Sequence, residues 1–465
     1  MRHGKDPARE SKKMGSHIID SVVYGAGFAP PEMAEIFSDR NRVQKWFDVE
    51  AALAQAQAEL GMIPAEAAAE ITRKARVELV DLAAIGAGVS QVAHSLVPAL
   101  RALARLCAGG AGEYIHYGTT TQDIIDTGMM LQLKEAWTLI VQELRHIRQL
   151  LADQARQHKG TVMVGRTHGQ QALPITWGYK LAVWVDEIDR HLERCTEGEK
   201  RIFVGNITGA VGTMAAFGEL GLEVQRRTLQ RLGLGVPRIC WHSARDRITE
   251  LATLLTQMAG TMGKIANEIY NLQRTEIAEL REPFHMGKVG SSTMPHKQNP
   301  STVELVVVLA RLVRGNLMPL TDTLFQEHER DASCWRIEWA ALPEACLYTG
   351  AILTHMRKVL AGLQIWEEQM TRNLHLLGGL LLSERVMLAL GEKIGKQTAH
   401  ELVYEIAMRA YEEKIPFRQA LASDPRITTH LDPERLDHLL DPTTYIGLAP
   451  LLVEQVVGSD DPVST

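Results

Sequence analysis

Cysteine is scarce in this sequence and carries no pattern. Its five residues (Cys107, Cys195, Cys240, Cys334, Cys346) are scattered, odd in number and without Cys-x-x-Cys or Cys/His spacing. That argues against a disulfide framework or a structural zinc module and fits reduced thiols of a cytoplasmic protein. Long apolar runs are also missing: none reaches the ~18 residues a spanning helix needs. Residues 1–20 have no apolar centre of a secretory signal. Positive charge is in deficit, with 50 Lys and Arg against 56 Asp and Glu and a net charge of −6. No basic face for nucleic acid and no polybasic membrane patch follow from that balance. Repeats and low-complexity tracts are absent. No metal or redox cofactor is implied, so anion binding has to come from local groups.

What is present is apolar periodicity. With 465 residues, 45% of them hydrophobic, the chain can bury a sizeable core and fill two or three domains. Val43, Trp46, Phe47, Val49, Ala52 and Leu53 recur at helical spacing, as do Leu133, Trp137, Ile140, Leu144, Ile147 and Leu151. A further helix is expected over 90–106 with His94 near its start, and another from Pro174 to about Ile202. The longest should be 243–280, where Ile248, Leu251, Leu255, Met258, Met262, Ile265, Ile269 and Leu272 form one stripe. At ~1.5 Å per residue it would be a rod of ~55 Å, too long for a simple monomeric core. Ser301 is expected to cap the next long helix. The reading is an all-α protein of three helical domains: 1–112, a central long-helix bundle 113–362 with a loop at 282–300, and a small C-terminal domain 363–465.

Three polar stretches interrupt this pattern. Gly290-Ser-Ser-Thr-Met-Pro-His-Lys-Gln-Asn-Pro300 cannot be helical, because its glycine and prolines forbid it. Its hydroxyls and run of backbone N–H groups suit an anion, and a serine in a nest of amides can act as a base. Lys297 and Asn299 could hold a carboxylate whose α-carbon becomes carbanion-like, with Ser291 taking the proton. Thr119-Thr120-Thr121, followed by Gln122 and Asp123, opens a helix and offers a carboxylate cradle. In Gly165-Arg-Thr-His-Gly-Gln-Gln171 a histidine bracketed by glycines has room to swing. Arg330, in His328-Glu-Arg-Asp331, is a natural bidentate clamp.

The eleven residues from Gly290 resemble the signature loop of the aspartase/fumarase superfamily, a Gly-Ser-Ser-x-Met-Pro-x-Lys-x-Asn-Pro run that carries the catalytic serine. The threonine run resembles that superfamily's first short region, which implies that Thr120 and Thr121 hold a substrate carboxylate. The Thr-His-Gly-Gln turn resembles the second, which makes His168 a general acid or its orienter, with Thr167 and Gln171 lining the pocket. Glu304 stands where the superfamily pairs a glutamate with that histidine. His94 resembles a histidine of adenylosuccinate lyases and is the alternative acid. The resemblance further implies a dicarboxylate substrate and a homotetramer whose sites each draw on three subunits.

Two branches compete. Phe28 to Asp39, Gln326 to Arg330 and the pair Trp335/Trp339 resemble 3-carboxy-cis,cis-muconate cycloisomerases, whereas His168 and Glu304 together match the fumarate-releasing lyases. Aligned from Glu329-Arg330, the serine and arginine with which adenylosuccinate lyases grip the nucleotide phosphate fall on Trp335 and Trp339, and neither indole can pair with a phosphate dianion. Gln298 also replaces the usual arginine of the loop. The expectation is a lyase that eliminates an amine from an N-substituted aspartate to give fumarate. A cycloisomerase is the alternative, and an inert structural homologue is disfavoured by the joint presence of Ser291, Lys297, Asn299, His168 and Glu304.

Overall fold

The computed structural model describes residues 16–285 and 287–458, and these are mostly helical. The longest helix is Thr121–Gln157, with 37 residues, and not the 243–280 segment. That segment yields Asp246–Leu272, 27 residues, because Ser243 and Ala244 form an irregular approach and the chain turns at Gln273–Glu279. The other long helices are Trp177–Ile202, Ser301–Asp322 and Ala332–Ala361. The helix expected over 90–106 is broken: Leu82–Val92 stops where Ala93 turns left-handed (φ 53), and Val97–Leu106 restarts with Pro98 in its first turn. His94 lies in the break. No helix among the described residues is long and apolar enough to cross a membrane.

The reading as purely α misses two small sheets. Val162–Thr167 and Gln170–Thr176 form an antiparallel hairpin, and Leu280–Arg281 pairs with Gln364–Ile365. In the hairpin, His168 (φ 52) and Gly169 (φ 76) are a two-residue turn with both residues left-handed, the geometry that matches strand twist. Apolar spacing along this stretch is short and interrupted by glycines, so helical periodicity gave no warning of it.

The chain divides into two compact units, each drawing on segments distant in sequence. Of the described residues, one comprises 16–144 with His191–Gly263 and Leu305–His355; the other comprises Arg145–Arg190, Lys264–Glu304 and 356–458. The core of the first is built around Trp46, Phe47, Leu53, Leu96, Leu103, Ile124, Phe217 and Trp335. In the second, Val386, Leu390, Ile406, Phe417, Leu421 and Leu436 pack the C-terminal helices together.

A charged network lies within the first core. Arg245 is fully buried; its Nη1 donates to Asp126 Oδ2 at 2.7 Å and its Nε to Glu338 Oε1 at 2.8 Å. Trp335 Nε1 donates to Asp126 Oδ1 at 2.7 Å. Burial opposes the arginine's charge, yet its two carboxylates hold the guanidinium pKa above its ordinary value. Such a network is costly to break, since removing one member strands the others without water. Arg245→Leu is therefore expected to lower unfolding free energy by about 3–5 kcal/mol, measured by urea denaturation; a loss under about 1 kcal/mol would show that Asp126 and Glu338 do not depend on it.

Candidate active site

In the first unit the threonine run is organised by Asp123, which is completely buried. Its Oδ2 accepts from Thr120 N (3.1 Å) and Gly209 N (2.8 Å). Its Oδ1 accepts from Thr208 N (3.1 Å), Thr208 Oγ1 (3.2 Å) and His242 Nε2 (3.0 Å). The backbone at Thr120 is thereby fixed, and Thr121 opens the long helix with both hydroxyls half-buried. Upstream, His116 (φ 64) is held by buried Glu50 through its backbone N–H (2.9 Å) and Nδ1 (2.8 Å). Burial works against its charge, but Glu50 raises the His116 pKa overall.

His94 joins this cluster. Its Nδ1 accepts the Val97 N–H at 3.2 Å, so the proton of the neutral ring resides on Nε2, which lies 3.3 Å from Thr121 Oγ1. The same bond that caps the next helix therefore leaves an N–H donor beside the threonines. Gln122 does not line the pocket as expected. It is buried, with Nε2 donating to His242 O (3.1 Å) and Oε1 accepting from Arg330 Nε (2.8 Å). Arg330 Nη2 donates to Ala210 O (2.8 Å), and among the described residues Nη1 makes no hydrogen bond. Gln122 thus links the Arg330 guanidinium to the His242 backbone.

The same unit holds a largely apolar cavity of about 370 Å³, walled by Trp46, Ile85, Ser95, Ile125, Met129 and Trp339 among others. Thr121, Ile125 and Met129 are four residues apart and share one helix face. Trp335 and Trp339 meet edge to face at 4.9 Å between centroids, and Trp339 Nε1 is buried without a hydrogen-bond partner. The only basic group in the wall, Arg42, is paired with Asp39 at 2.6 Å.

The remaining expected site residues belong to the second unit. Ser291 Oγ accepts from Thr293 N (3.3 Å) and Met294 N (3.1 Å). Two donors on one hydroxyl oxygen favour its deprotonated form. Gly290 is required because a Cβ there would collide with the carbonyl oxygen of Lys297 where the loop's two limbs touch. Buried Glu282 ties down the loop's ends: it accepts from Thr302 N and Val303 N (3.1 Å each) and from Lys288 Nζ (2.6 Å). This carboxylate, rather than Ser301, caps the helix Ser301–Asp322. Gln273 bridges Gln298 O (3.1 Å) and Glu282 N (2.8 Å). Lys297 is exposed and Asn299 half-buried.

The hairpin is anchored by Arg166, which donates to buried Glu279 at 2.7 and 2.9 Å, with Asn373 on the same carboxylate at 2.8 Å. Thr167 and His168 are exposed at its tip, and Gln171 Oε1 is buried without a partner. Within one chain no hydrogen bond or ion pair joins His168 to Glu304, and both are exposed.

The chain has relatives along most of its length. The lyase family model matches residues 27–315, and that of the adenylosuccinate lyase C-terminus matches 379–456. The chain belongs to the aspartase/fumarase superfamily. It is 48% identical to N-acetyl-S-(2-succino)cysteine lyase of Dickeya dadantii, over 96% of this chain and 98% of that one. It is 45% identical to adenylosuccinate lyase of Methanocaldococcus jannaschii, over 97% of each. The solved 3-carboxy-cis,cis-muconate lactonizing enzyme of Pseudomonas putida is 37% identical and superposes with a TM-score of 0.88 over 93% of this chain and 97% of that one.

Reading the superfamily motifs alone missed His242 and Cys240. Both lie in Cys240-Trp-His-Ser-Ala-Arg-Asp-Arg247, whose density of titratable residues just before a long helix was the available signal. Burial opposes the His242 charge, but Asp123 first and then Cys240 raise its pKa to about 9. A histidine whose folded pKa exceeds its unfolded value stabilises the fold fully below the unfolded pKa of about 6.5 and loses that contribution as pH rises through the folded one. Urea midpoints should accordingly fall between about pH 6.5 and 9, and His242→Gln should flatten that slope. An unchanged slope in the variant would show that His242 does not carry it.

Proposed function

We propose that the chain is a fumarate-releasing lyase that cleaves a 2-succinyl group from a heteroatom, with the thioether of an N-acylated cysteine as its preferred substrate. The observation that carries the elimination is Ser291 Oγ accepting two backbone N–H groups beside Lys297 and Asn299. In this reading Ser291 removes the proton next to a carboxylate, and Lys297 with the loop amides stabilises the enolate-like charge. Thr120 and Thr121 hold the other carboxylate, and Arg330 clamps it. His94, or His168 backed by Glu304, protonates the departing atom. The working form is a homotetramer in which each site draws on more than one subunit. Val308, Leu312 and Met318, exposed along Ser301–Asp322, support self-association.

Three features favour an acylated thiol over a nucleotide. Trp335 is locked onto Asp126 and packed on Trp339, so the positions that would grip a phosphate are apolar core. The cavity lined by Ser95, Ile125 and Trp339 is apolar and small, and its unpartnered Trp339 N–H suits one amide carbonyl. The Dickeya relative is named for that substrate. Cycloisomerisation of a carboxymuconate is the second reading, favoured by the likeness to the Pseudomonas putida structure.

Absorbance at the fumarate band, with N-acetyl-S-(2-succino)cysteine, adenylosuccinate and simple N-substituted aspartates offered in turn, tests this directly. The thioether should give the highest kcat/KM, and Ser291→Ala should fold normally and lose at least about 10³-fold in kcat. Consumption of 3-carboxy-cis,cis-muconate alone would assign the chain to the cycloisomerases. Subunit sharing predicts that Ser291→Ala and His168→Ala proteins, each inactive, regain part of the activity when unfolded together and reassembled. No recovery from well-folded mixtures would mean that a single subunit supplies both residues.

A further inference from the structure

We propose that Cys240 is a covalent acceptor for an α,β-unsaturated dicarboxylate, and specifically for fumarate. The choice of fumarate rests on the reaction proposed above; the nucleophilic thiol and its anion-binding surroundings do not.

Cys240 differs from the other cysteines in its setting. Cys195 and Cys346 are buried, and burial raises the pKa of Cys107, Cys334 and Cys346. Cys240 is partly exposed; its Sγ accepts from His242 N (3.5 Å) and lies 3.2 Å from Thr208 Oγ1, whose one proton is shared with Asp123. The His242 ring is oriented by Asp123 at 3.0 Å, while its buried Nδ1 has no hydrogen-bond partner. A thiolate on Cys240 is favoured by the His242 backbone N–H and by the charge of the His242 ring that Asp123 holds. Burial alone would raise the thiol pKa, but His242 and Thr208 bring it below the ordinary value. Gly212 (φ 87) keeps one flank of the thiol clear, since a Cβ there would lie 2.7 Å from the sulfur.

The thiol opens onto a cavity of about 490 Å³ walled by Arg238, Trp241, Asp246 and Arg247. Arg247 is anchored by donation to Arg201 O. Arg238 is exposed and, among the described residues, makes no ion pair, so its fork is available to a carboxylate. Two guanidiniums against one carboxylate favour a dianion over a neutral electrophile. In the reaction, the Cys240 thiolate adds to one alkene carbon of fumarate. The π pair moves to the other carbon, next to its carboxylate, and a proton from water completes a 2-succinyl thioether. Nothing is oxidised and nothing leaves. The chain would then carry on its own sulfur the linkage it is proposed to cleave.

The test is to incubate the full-length protein with fumarate, with succinate as the unreactive control and iodoacetamide as a neutral alkylator, and to map adducts by mass spectrometry. One added fumaric acid is expected on Cys240, formed roughly tenfold faster than on Cys107 or Cys334. Cys240→Ser should abolish it, and Arg238→Ala should slow it several-fold without slowing alkylation by iodoacetamide. The proposal is overturned by no adduct, by adducts spread over Cys107 and Cys334, by iodoacetamide reacting at Cys240 where fumarate does not, or by indifference to Arg238→Ala. Because fumarate is supplied, an adduct on Cys240 in a protein that releases fumarate from no substrate would sink the proposed reaction and leave the thiol site standing.

Discussion

A single buried carboxylate, Asp123, holds the threonine cradle in place. It receives five hydrogen bonds from three separate segments: Thr120, the Thr208–Gly209 turn and His242. A buried charge is tolerated only when it is fully satisfied, so these segments cannot shift independently. Thr121 and His94 inherit their placement from it through the helix start. Gln122 and Arg330 inherit theirs through the backbone of His242. A negative charge so completely occupied attracts no substrate. It fixes the backbone at Thr120, next to the hydroxyls proposed to meet a substrate carboxylate.

The second unit repeats the device with different residues. Glu282 gathers the start of helix Ser301–Asp322 and Lys288, fixing both ends of the loop that carries Ser291. Glu279 does the same for the hairpin through Arg166 and Asn373. In each case the loop bearing the proposed chemistry is tied at its base by an internal acid and left open at its tip. That division of labour agrees with what proton transfer requires: a rigid support, and reacting groups whose remaining hydrogen-bonding capacity is unspent.

The stretches proposed to carry the chemistry were legible as loops and turns because they interrupt helical periodicity with residues that a helix cannot use. Gly290 and Pro300 mark the loop, and the structure puts Ser291 among amides as that pattern implied. What the sequence concealed depended on pairings distant along the chain. Gln122 reads like a pocket residue because it follows the threonines, but its partners lie 120 and 208 positions away. The hairpin at 162–176 was hidden because two short strands have no apolar stripe, although His168-Gly169 is a turn pair. The length of the 243–280 helix was overread because its apolar stripe continues to Leu272 and Leu280 carries the same register into a strand.

The leaving group is where residues that replace a motif say more than those that keep it. A nucleotide-releasing site needs cations for its phosphate, yet Trp335 is held on Asp126 and Trp339 stands in an apolar wall. Trp335 is thus part of the Arg245, Asp126 and Glu338 network and cannot rotate out without stranding an acid. A thiol leaves as an anion more readily than an amine, since its pKa is about 8.5 while an amine must be protonated as it departs. In the proposed site, an apolar leaving-group wall and a single histidine donor, His94, are better matched to the first demand than to the second. In the proposed reading, tryptophans at the two positions where a phosphate grip would stand accord with a thiol leaving group, while the groups proposed to take the proton are unaltered.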